Sequence, residues 1–132
     1  MKIDQNLPSI KKMVTQAQIN KYAEASGDFN PVHIDSQFAS TTDFGGTIAH
    51  GMLILGFLSQ MMTIAFKEMW VNDGRMKIRF KSPVYPGDTV TTYGKYRETK
   101  TDKDGARLFY SIGCINENNK DIITGEASIA VN

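Results

Sequence analysis

Residues 50–66 read HGMLILGFLSQMMTIAF, and this stretch decides the fold. Its apolar side chains recur every three or four residues, which is the spacing of a helix. They form two rows, Met52, Leu55, Leu58, Met62 and Ala65 in one and Leu53, Phe57, Met61 and Ile64 in the other. A helix that is apolar nearly all round belongs in the middle of a fold. The sequence therefore predicts a central, buried helix over residues 50–66.

After residue 74 the pattern changes to the two-residue alternation of a β-strand. Four basic residues alternate there with apolar ones, which gives one basic face and one apolar face. Three further strands are predicted over residues 89–99, 108–115 and 122–131, separated by a hairpin loop at residues 100–105 and a turn at residues 116–121. Long antiparallel strands after a buried helix predict an α+β fold with the sheet wrapped around that helix.

The residues before the central helix predict short helices joined by turns. Thr15 is a suitable cap for a helix over residues 16–25, and Gly27 is suited to end it. Residues 27–31, GDFNP, form a turn by composition, since Gly, Asp, Asn and Pro each favour one. A short helical piece follows over residues 36–41, and residues 43–47 are predicted to form a loop.

Composition limits the class of protein. The chain of 132 residues is 41% hydrophobic and 22% charged, which predicts one globular domain over residues 1–132. A net charge of +1 argues against a nucleic-acid binder. The single cysteine excludes an intrachain disulfide. Residues 1–9 have no apolar stretch that could serve as a signal peptide. Polar residues interrupt the apolar stretch over residues 47–66 too often for a membrane span. We therefore expect a cytoplasmic protein that does not enter a membrane.

Asp28 and His33 are the residues best suited to chemistry. A carboxylate five residues from an imidazole, with Asn30 and Pro31 fixing the backbone between them, can hold one water molecule for acid–base work. The alternative is purely structural. An Asp in such a turn often bonds its own backbone, and a histidine is often a satisfied core residue. Spacing alone leaves both interpretations open.

Three stretches carry a resemblance to a known family. They are YAEASGDFNPVH at residues 22–33 (followed by Ala39), IAHGM at residues 48–52 and FKSPVYPGD at residues 80–88. In these stretches the sequence resembles the MaoC-like dehydratase family, and within it the (R)-specific, type-2 enoyl-CoA hydratases. The matches fall in register, and the similarity spans nearly the whole chain. The signature of Gly27, Asp28, Asn30, Pro31 and His33 is the most specific part.

The resemblance implies a fold, an activity and a set of roles. The fold is a hot-dog fold with the helix over residues 50–66 as its filling, usually in a homodimer. The activity is that of a hydro-lyase of fatty-acid metabolism that adds water to trans-2-enoyl-CoA and gives (R)-3-hydroxyacyl-CoA without a cofactor. Asp28 and His33 form the dyad, and the Gly51 N–H donates to the thioester carbonyl oxygen. The acyl carrier, coenzyme A or acyl carrier protein, stays open, as does the division of base and acid between Asp28 and His33.

Other residues have two possible roles. Asn30 is expected to support the turn. Ser59 falls where the family tends to place a hydroxyl facing the active site, but serine is also common in helices. Three apolar residues either line the acyl pocket or belong to the core, namely Phe29, Phe44 and Met52.

Two predictions concern charged ligands and metals. A basic stripe is formed by Arg75, Lys77, Arg79 and Lys81. It either meets the phosphates of coenzyme A or forms a solvated outer face of the sheet. No metal is expected, because His33, His50 and Cys114 lack the close spacings of a zinc site. His50 is interpreted as a helix cap or a pocket-lining residue.

Two other functions compete with hydration. The first is a non-catalytic hot-dog subunit that binds acyl thioesters, although such a subunit has no need of both Asp28 and His33. The second is an acyl-CoA thioesterase. Thioesterases of this fold generally place a carboxylate on or beside the central helix, whereas residues 50–66 contain no Asp or Glu and Glu68 is the first.

Overall fold

The computed structural model describes residues 6–131, and predictions that concern residues 1–5 and 132 lie outside this range. The helices are α1 (Gln16–Ser26), α2 (Pro31–Ile34), α3 (Ser36–Ser40), α4 (Gly51–Phe66) and α5 (Glu68–Asp73). The strands are β1 (Lys11–Met13), β2 (Gly74–Phe80), β3 (Thr89–Asp102), β4 (Gly105–Ile115) and β5 (Asp121–Val131).

The strands form one antiparallel sheet in the order β1-β3-β4-β5-β2. The β3–β4 and β4–β5 pairs are hairpins. Strand β2 lies at the edge of the sheet opposite β1 and pairs with β5. Within residues 6–131 the outer edge of β2 has no partner strand.

Helix α4 packs on the sheet and supplies the centre of the core. Its buried residues are Ile54, Leu58, Met61, Met62 and Phe66. They join buried sheet residues such as Ile112 and Ile129, and the ring of Phe66 lies 5.3 Å from that of Tyr110. The predicted α+β hot-dog architecture, with the sheet around a central helix, is confirmed.

One feature of α4 differs from the prediction. The helix is not buried all round, because Met52 is 58% exposed and Ile64 is 51% exposed. A single chain therefore leaves part of the apolar surface of α4 uncovered.

Local sequence signals explain both ends of α1. The Thr15 hydroxyl accepts the Gln18 N–H while the Gln18 side chain accepts the Thr15 N–H, which is a capping box at the start of α1. Gly27 ends α1 with φ of +78°. The sequence did not predict α2, α5 or β1. It also made the β3–β4 loop too long, since pairing continues to Asp102 and Gly105.

Candidate active site

The turn after α1 positions Asp28. Gly27 adopts the left-handed backbone conformation, which reverses the chain at little cost because glycine has no Cβ. The Asp28 N–H donates to the Ser26 hydroxyl, and Asp28 Oδ1 accepts the Asn30 N–H at 3.2 Å. One carboxylate oxygen thus supports the turn, and the other is free for chemistry. The structural and chemical interpretations of Asp28 are therefore compatible.

His33 lies on the one-turn helix α2. Asn30 caps this helix by accepting the Val32 N–H, and Pro31 occupies its first position, where a missing N–H costs nothing. Nδ1 of His33 lies 2.8 Å from the Ile48 carbonyl oxygen. Since a carbonyl only accepts, Nδ1 carries the proton, and in the neutral ring Nε2 holds the lone pair. The expected supporting role of Asn30 in the turn agrees with these contacts.

The two side chains face each other. Nε2 of His33 lies 3.9 Å from Oδ2 of Asp28, with the His33 side chain 13% exposed and that of Asp28 53% exposed. A separation of 3.9 Å is too long for a direct hydrogen bond. A water oxygen at roughly 2.8 Å from both atoms would make two hydrogen bonds at an angle of about 90°. The pair can therefore hold one water between a carboxylate and an unprotonated ring nitrogen.

His50 lies directly behind this pair. It precedes α4 but makes no side-chain cap hydrogen bond, and it is only 2% exposed. Its ring stacks on that of His33, with centroids 3.8 Å apart and planes 26° apart. Nε2 of His50 lies 2.9 Å from the Asp28 carbonyl oxygen. His50 is thus neither a side-chain cap nor an exposed pocket wall, and it touches both members of the dyad.

Gly51 begins α4 next to the stacked rings. Within residues 6–131 its N–H has no hydrogen-bond acceptor, as expected for the first turn of a helix. The helix dipole also favours partial negative charge at this end. A Cβ at Gly51 would come within 2.8 Å of the Phe80 ring, so glycine allows this ring to lie against the start of α4. Gly51 therefore serves both packing and the presentation of a free N–H.

An apolar cavity of about 330 Å³ opens at Gly51. Its walls include Phe44, Ile54, Phe80 and Val84. A cavity of this size suits a small acyl group. Of the three predicted acyl-pocket residues, Phe44 lines this cavity, whereas Phe29 (56% exposed) and Met52 (58% exposed) are not among its walls.

The basic stripe is exposed and lies away from that cavity. Arg75, Lys77 and Arg79 project from β2 and Lys81 follows it, and none of the four lines the cavity. Arg75 lies 3.9 Å from Asp73. A more polar cleft of about 370 Å³ beside Arg75, Asp73 and Arg107 contains neither dyad residue. The structure thus does not join the stripe to the dyad within one chain.

Ser59 has a different neighbour from the dyad. Its hydroxyl accepts the Trp70 indole N–H at 3.2 Å, which ties α5 to α4. Ser59 makes no hydrogen bond to Asp28 or His33 in the described part of the chain. A supporting role toward the dyad stays a prediction.

Asp28, His33 and His50 also have the donor atoms of a metal site. One ligand atom of each lies within 4.8 Å of the others. The arrangement does not fit metal binding, however, because two nearly parallel stacked rings do not aim their lone pairs at one point. Asp28 and His33 therefore stay candidates for acid–base chemistry, with His50 as a neighbour of both.

No sequence pattern singles out Gln16, although it contacts the site. Its amide donates to the His33 carbonyl at 2.8 Å and accepts the Thr47 hydroxyl at 2.7 Å. The Ile48 N–H donates to the Val32 carbonyl. These contacts dock α2 between α1 and the segment that leads into α4. They join chain segments that are distant in sequence, so no local sequence pattern predicts them.

The chain is similar to proteins of known name. It is 32% identical over 124 residues to the (R)-specific enoyl-CoA hydratase of Aeromonas caviae, covering 91% of this chain and 88% of that protein. It is 38% identical over 81 residues to 3-hydroxyacyl-thioester dehydratase Z of Mycobacterium tuberculosis, covering 58% of this chain and 54% of that protein. The match thus spans about half the length of the mycobacterial relative. Among residues 6–131, no helix is long and apolar enough to cross a membrane.

Solved structures and a family model agree on the fold. The structure of an (R)-hydratase from A. caviae involved in PHA biosynthesis superposes with a TM-score of 0.82 and 27% identity, covering 100% of this chain and 98% of that one. The family model described as MaoC like domain matches residues 2–110. That range contains Asp28, His33 and Gly51. The chain belongs to the MaoC-like domain family.

Proposed function

We propose that the protein is an (R)-specific enoyl-CoA hydratase that adds water across trans-2-enoyl-CoA and gives (R)-3-hydroxyacyl-CoA. The observation that carries the proposal is the 3.9 Å separation between Asp28 Oδ2 and His33 Nε2. Gly51, whose N–H has no acceptor within residues 6–131, directly follows His50, whose ring stacks on that of His33. The similarity to hydratases and thioester dehydratases of known name supports it. The enzyme class is accordingly hydro-lyase, and the same groups serve the reverse dehydration.

We propose that these groups divide the reaction between them. The Gly51 N–H donates to the thioester carbonyl oxygen, where negative charge develops as the double bond is attacked. Asp28 and His33 hold one water against the β-carbon, and one of them takes a proton as the oxygen bonds to that carbon. The pair returns one proton to the α-carbon, so water is added in full and the dyad is regenerated. The neutral tautomer makes Nε2 the His33 nitrogen that exchanges protons.

The substrate is an acyl thioester whose acyl group enters the apolar cavity at Gly51. A volume of about 330 Å³ suits a short chain better than a long one. The basic stripe, Arg75, Lys77, Arg79 and Lys81, is exposed and stays a candidate for the phosphates of coenzyme A. Every bond made or broken is accounted for by water and the dyad, so the proposed mechanism calls for no cofactor. A cytoplasmic location is the setting that we propose for it.

We also propose that the active protein is a homodimer. The outer edge of β2 is unpaired within the described chain, and exposed strand edges attract a partner strand. Met52 and Phe80, which flank Gly51, are 58% and 53% exposed. Exposed apolar surface of this kind marks interaction sites. A second copy would cover the open side of the active site and exclude water from it.

Hydration of crotonyl-CoA by the purified protein tests the function. We expect loss of the enoyl absorbance and, by chiral analysis, formation of (R)-3-hydroxybutyryl-CoA. Release of free thiol without a hydroxyacyl product would make the protein a thioesterase instead. If a folded protein turned over no member of a panel of enoyl thioesters, the non-catalytic binding subunit would replace the enzyme.

A further inference from the structure

We propose that His50 is a positioning residue for the dyad, acting as a neutral ring protonated on Nε2. This inference rests on the hydratase function proposed above. Its starting point is a polar atom without a partner. Nδ1 of His50 is buried and has no hydrogen-bond partner in the described chain, in a residue that is 2% exposed.

The tautomer of His50 follows from its two nitrogens. Nε2 lies 2.9 Å from the Asp28 carbonyl oxygen, and a carbonyl only accepts, so Nε2 carries the proton. A proton on Nδ1 as well would bury a charged ring with an unpaired donor, which is far more costly than an unpaired acceptor. The ring is therefore neutral. His33 has the opposite tautomer, because its Nδ1 donates to the Ile48 carbonyl.

The contacts of His50 act on both members of the dyad. Its N–H donates to the Asp28 carbonyl, whereas the hydrogen bonds of the Asp28 N–H and Oδ1 lie within its own turn. Its ring face supports the ring of His33 at 3.8 Å, and the Tyr22 ring lies 4.8 Å away at 60° to that of His50. His50 directly precedes Gly51. A shift of His50 would therefore move both the dyad contacts and the first N–H of α4.

Packing alone does not explain a histidine here. An apolar residue in the same space would leave no nitrogen without a partner, and an unsatisfied buried acceptor destabilises the folded state. His50 thus combines a cost in stability with contacts to both dyad residues. A displacement of about 1 Å in catalytic side chains can lower the rate by about a hundredfold. A rigid support for Asp28 and His33 therefore offsets a cost in stability.

The tautomers are measurable in the wild-type protein, because the chain contains only two histidines. Long-range ¹H–¹⁵N correlation spectra are expected to show His50 protonated on Nε2 alone, and to show the neutral form of His33 protonated on Nδ1. A His50 ring protonated on Nδ1, or doubly protonated, would overturn the inference. This measurement does not depend on turnover.

A matched pair of variants tests the positioning role. His50→Gln places an amide N–H near the position of Nε2, whereas His50→Asn places it near Nδ1, where no acceptor is present. Both variants lose the ring stack. We expect His50→Asn to lower kcat on the order of a hundredfold while KM changes by less than about threefold. We expect kcat of His50→Gln to be about tenfold higher than that of His50→Asn.

Ile129→Val, a buried substitution in β5 outside the site, serves as the stability control and should lower the melting temperature without changing kcat. A folded His50→Asn variant with wild-type kcat would overturn the proposal. The proposal would also be overturned if His50→Gln and His50→Asn lost kcat equally and in proportion to their loss of melting temperature. If the wild-type protein hydrated no enoyl thioester while both tautomers were as expected, the proposed function would fail and the arrangement of His50 would stand.

Discussion

At the scale of one residue, Asp28 combines a structural contact with the chemical role that we propose for it. Oδ1 accepts the Asn30 N–H and holds the turn, while Oδ2 faces His33. The sequence motif predicts both residues because the turn that joins them is local. It does not predict the part played by His50, whose partners Asp28 and His33 are 22 and 17 residues away along the chain.

Gly51→Ala tests the close approach of α4 to β2. The added Cβ would meet the Phe80 ring at 2.8 Å, so this ring, which also lines the apolar cavity, must move. We expect kcat/KM to fall on the order of tenfold to a hundredfold. Gly46→Ala is the control, because nothing lies within 4 Å of its Cβ. Unchanged steady-state kinetics in Gly51→Ala would contradict the proposed place of the acyl group beside Gly51 and Phe80.

Cys114 is expected to be inert in the folded protein. The residue is fully buried, and burial raises the pKa of its thiol to about 11, with the Ile123 backbone opposing this and Asp121 adding to it. A protonated, inaccessible thiol reacts slowly with Ellman's reagent. We expect labelling only after unfolding. Rapid labelling of the native protein would contradict the packing of β4.

The same shift predicts a dependence of stability on pH. The folded protein holds the Cys114 proton more tightly than the unfolded chain, whose thiol has an ordinary pKa of 9.0. This contribution is present in full below pH 9 and is lost as pH rises to about 11. Denaturation of the wild type and Cys114→Ala across this window should show the steeper fall in the wild type. Parallel curves would exclude the effect.

At the scale of elements, the capping box of α1 explains why this helix begins where the sequence predicts. Thr15→Ala removes the acceptor for the Gln18 N–H and is expected to cost about 1 kcal/mol of unfolding free energy. Thr15→Ser keeps a hydroxyl and should cost less. Urea denaturation of both variants measures the difference, and equal stability of Thr15→Ala and the wild type would show that the cap contributes nothing.

Elements without such local signals were not predicted. Helix α2 has four residues and β1 has three, too few for any periodic pattern to be recognised. Helix α2 is instead docked by Gln16 and by the Ile48 backbone, contacts that exist only in the folded chain. Helix α4 and the long strands were predictable because their apolar periodicity extends over many residues. The hairpin between β3 and β4 was misplaced because its polar residues continue the strand pairing.

At the scale of the whole molecule, the exposed faces of α4 and β2 predict self-association. Light scattering should give a mass of about twice the 14.7 kDa of one chain. Hydrogen exchange gives an independent measurement. Pairing at the β2 edge should protect successive amides of Gly74–Phe80, whereas an unpaired edge leaves alternate amides free to exchange. A monomer with an exchanging β2 edge would contradict the proposed dimer.

The decisive test of the Asp28–His33 dyad is kcat for crotonyl-CoA hydration. It is measured in Asp28→Asn, in His33→Gln and in the double variant. These substitutions keep side-chain size close to native and remove proton exchange at the 3.9 Å pair. We predict a loss of about a hundredfold to ten-thousandfold in each single variant. The double variant should lose little more, since the two groups act as one unit. Wild-type kcat in either folded single variant would contradict the dyad.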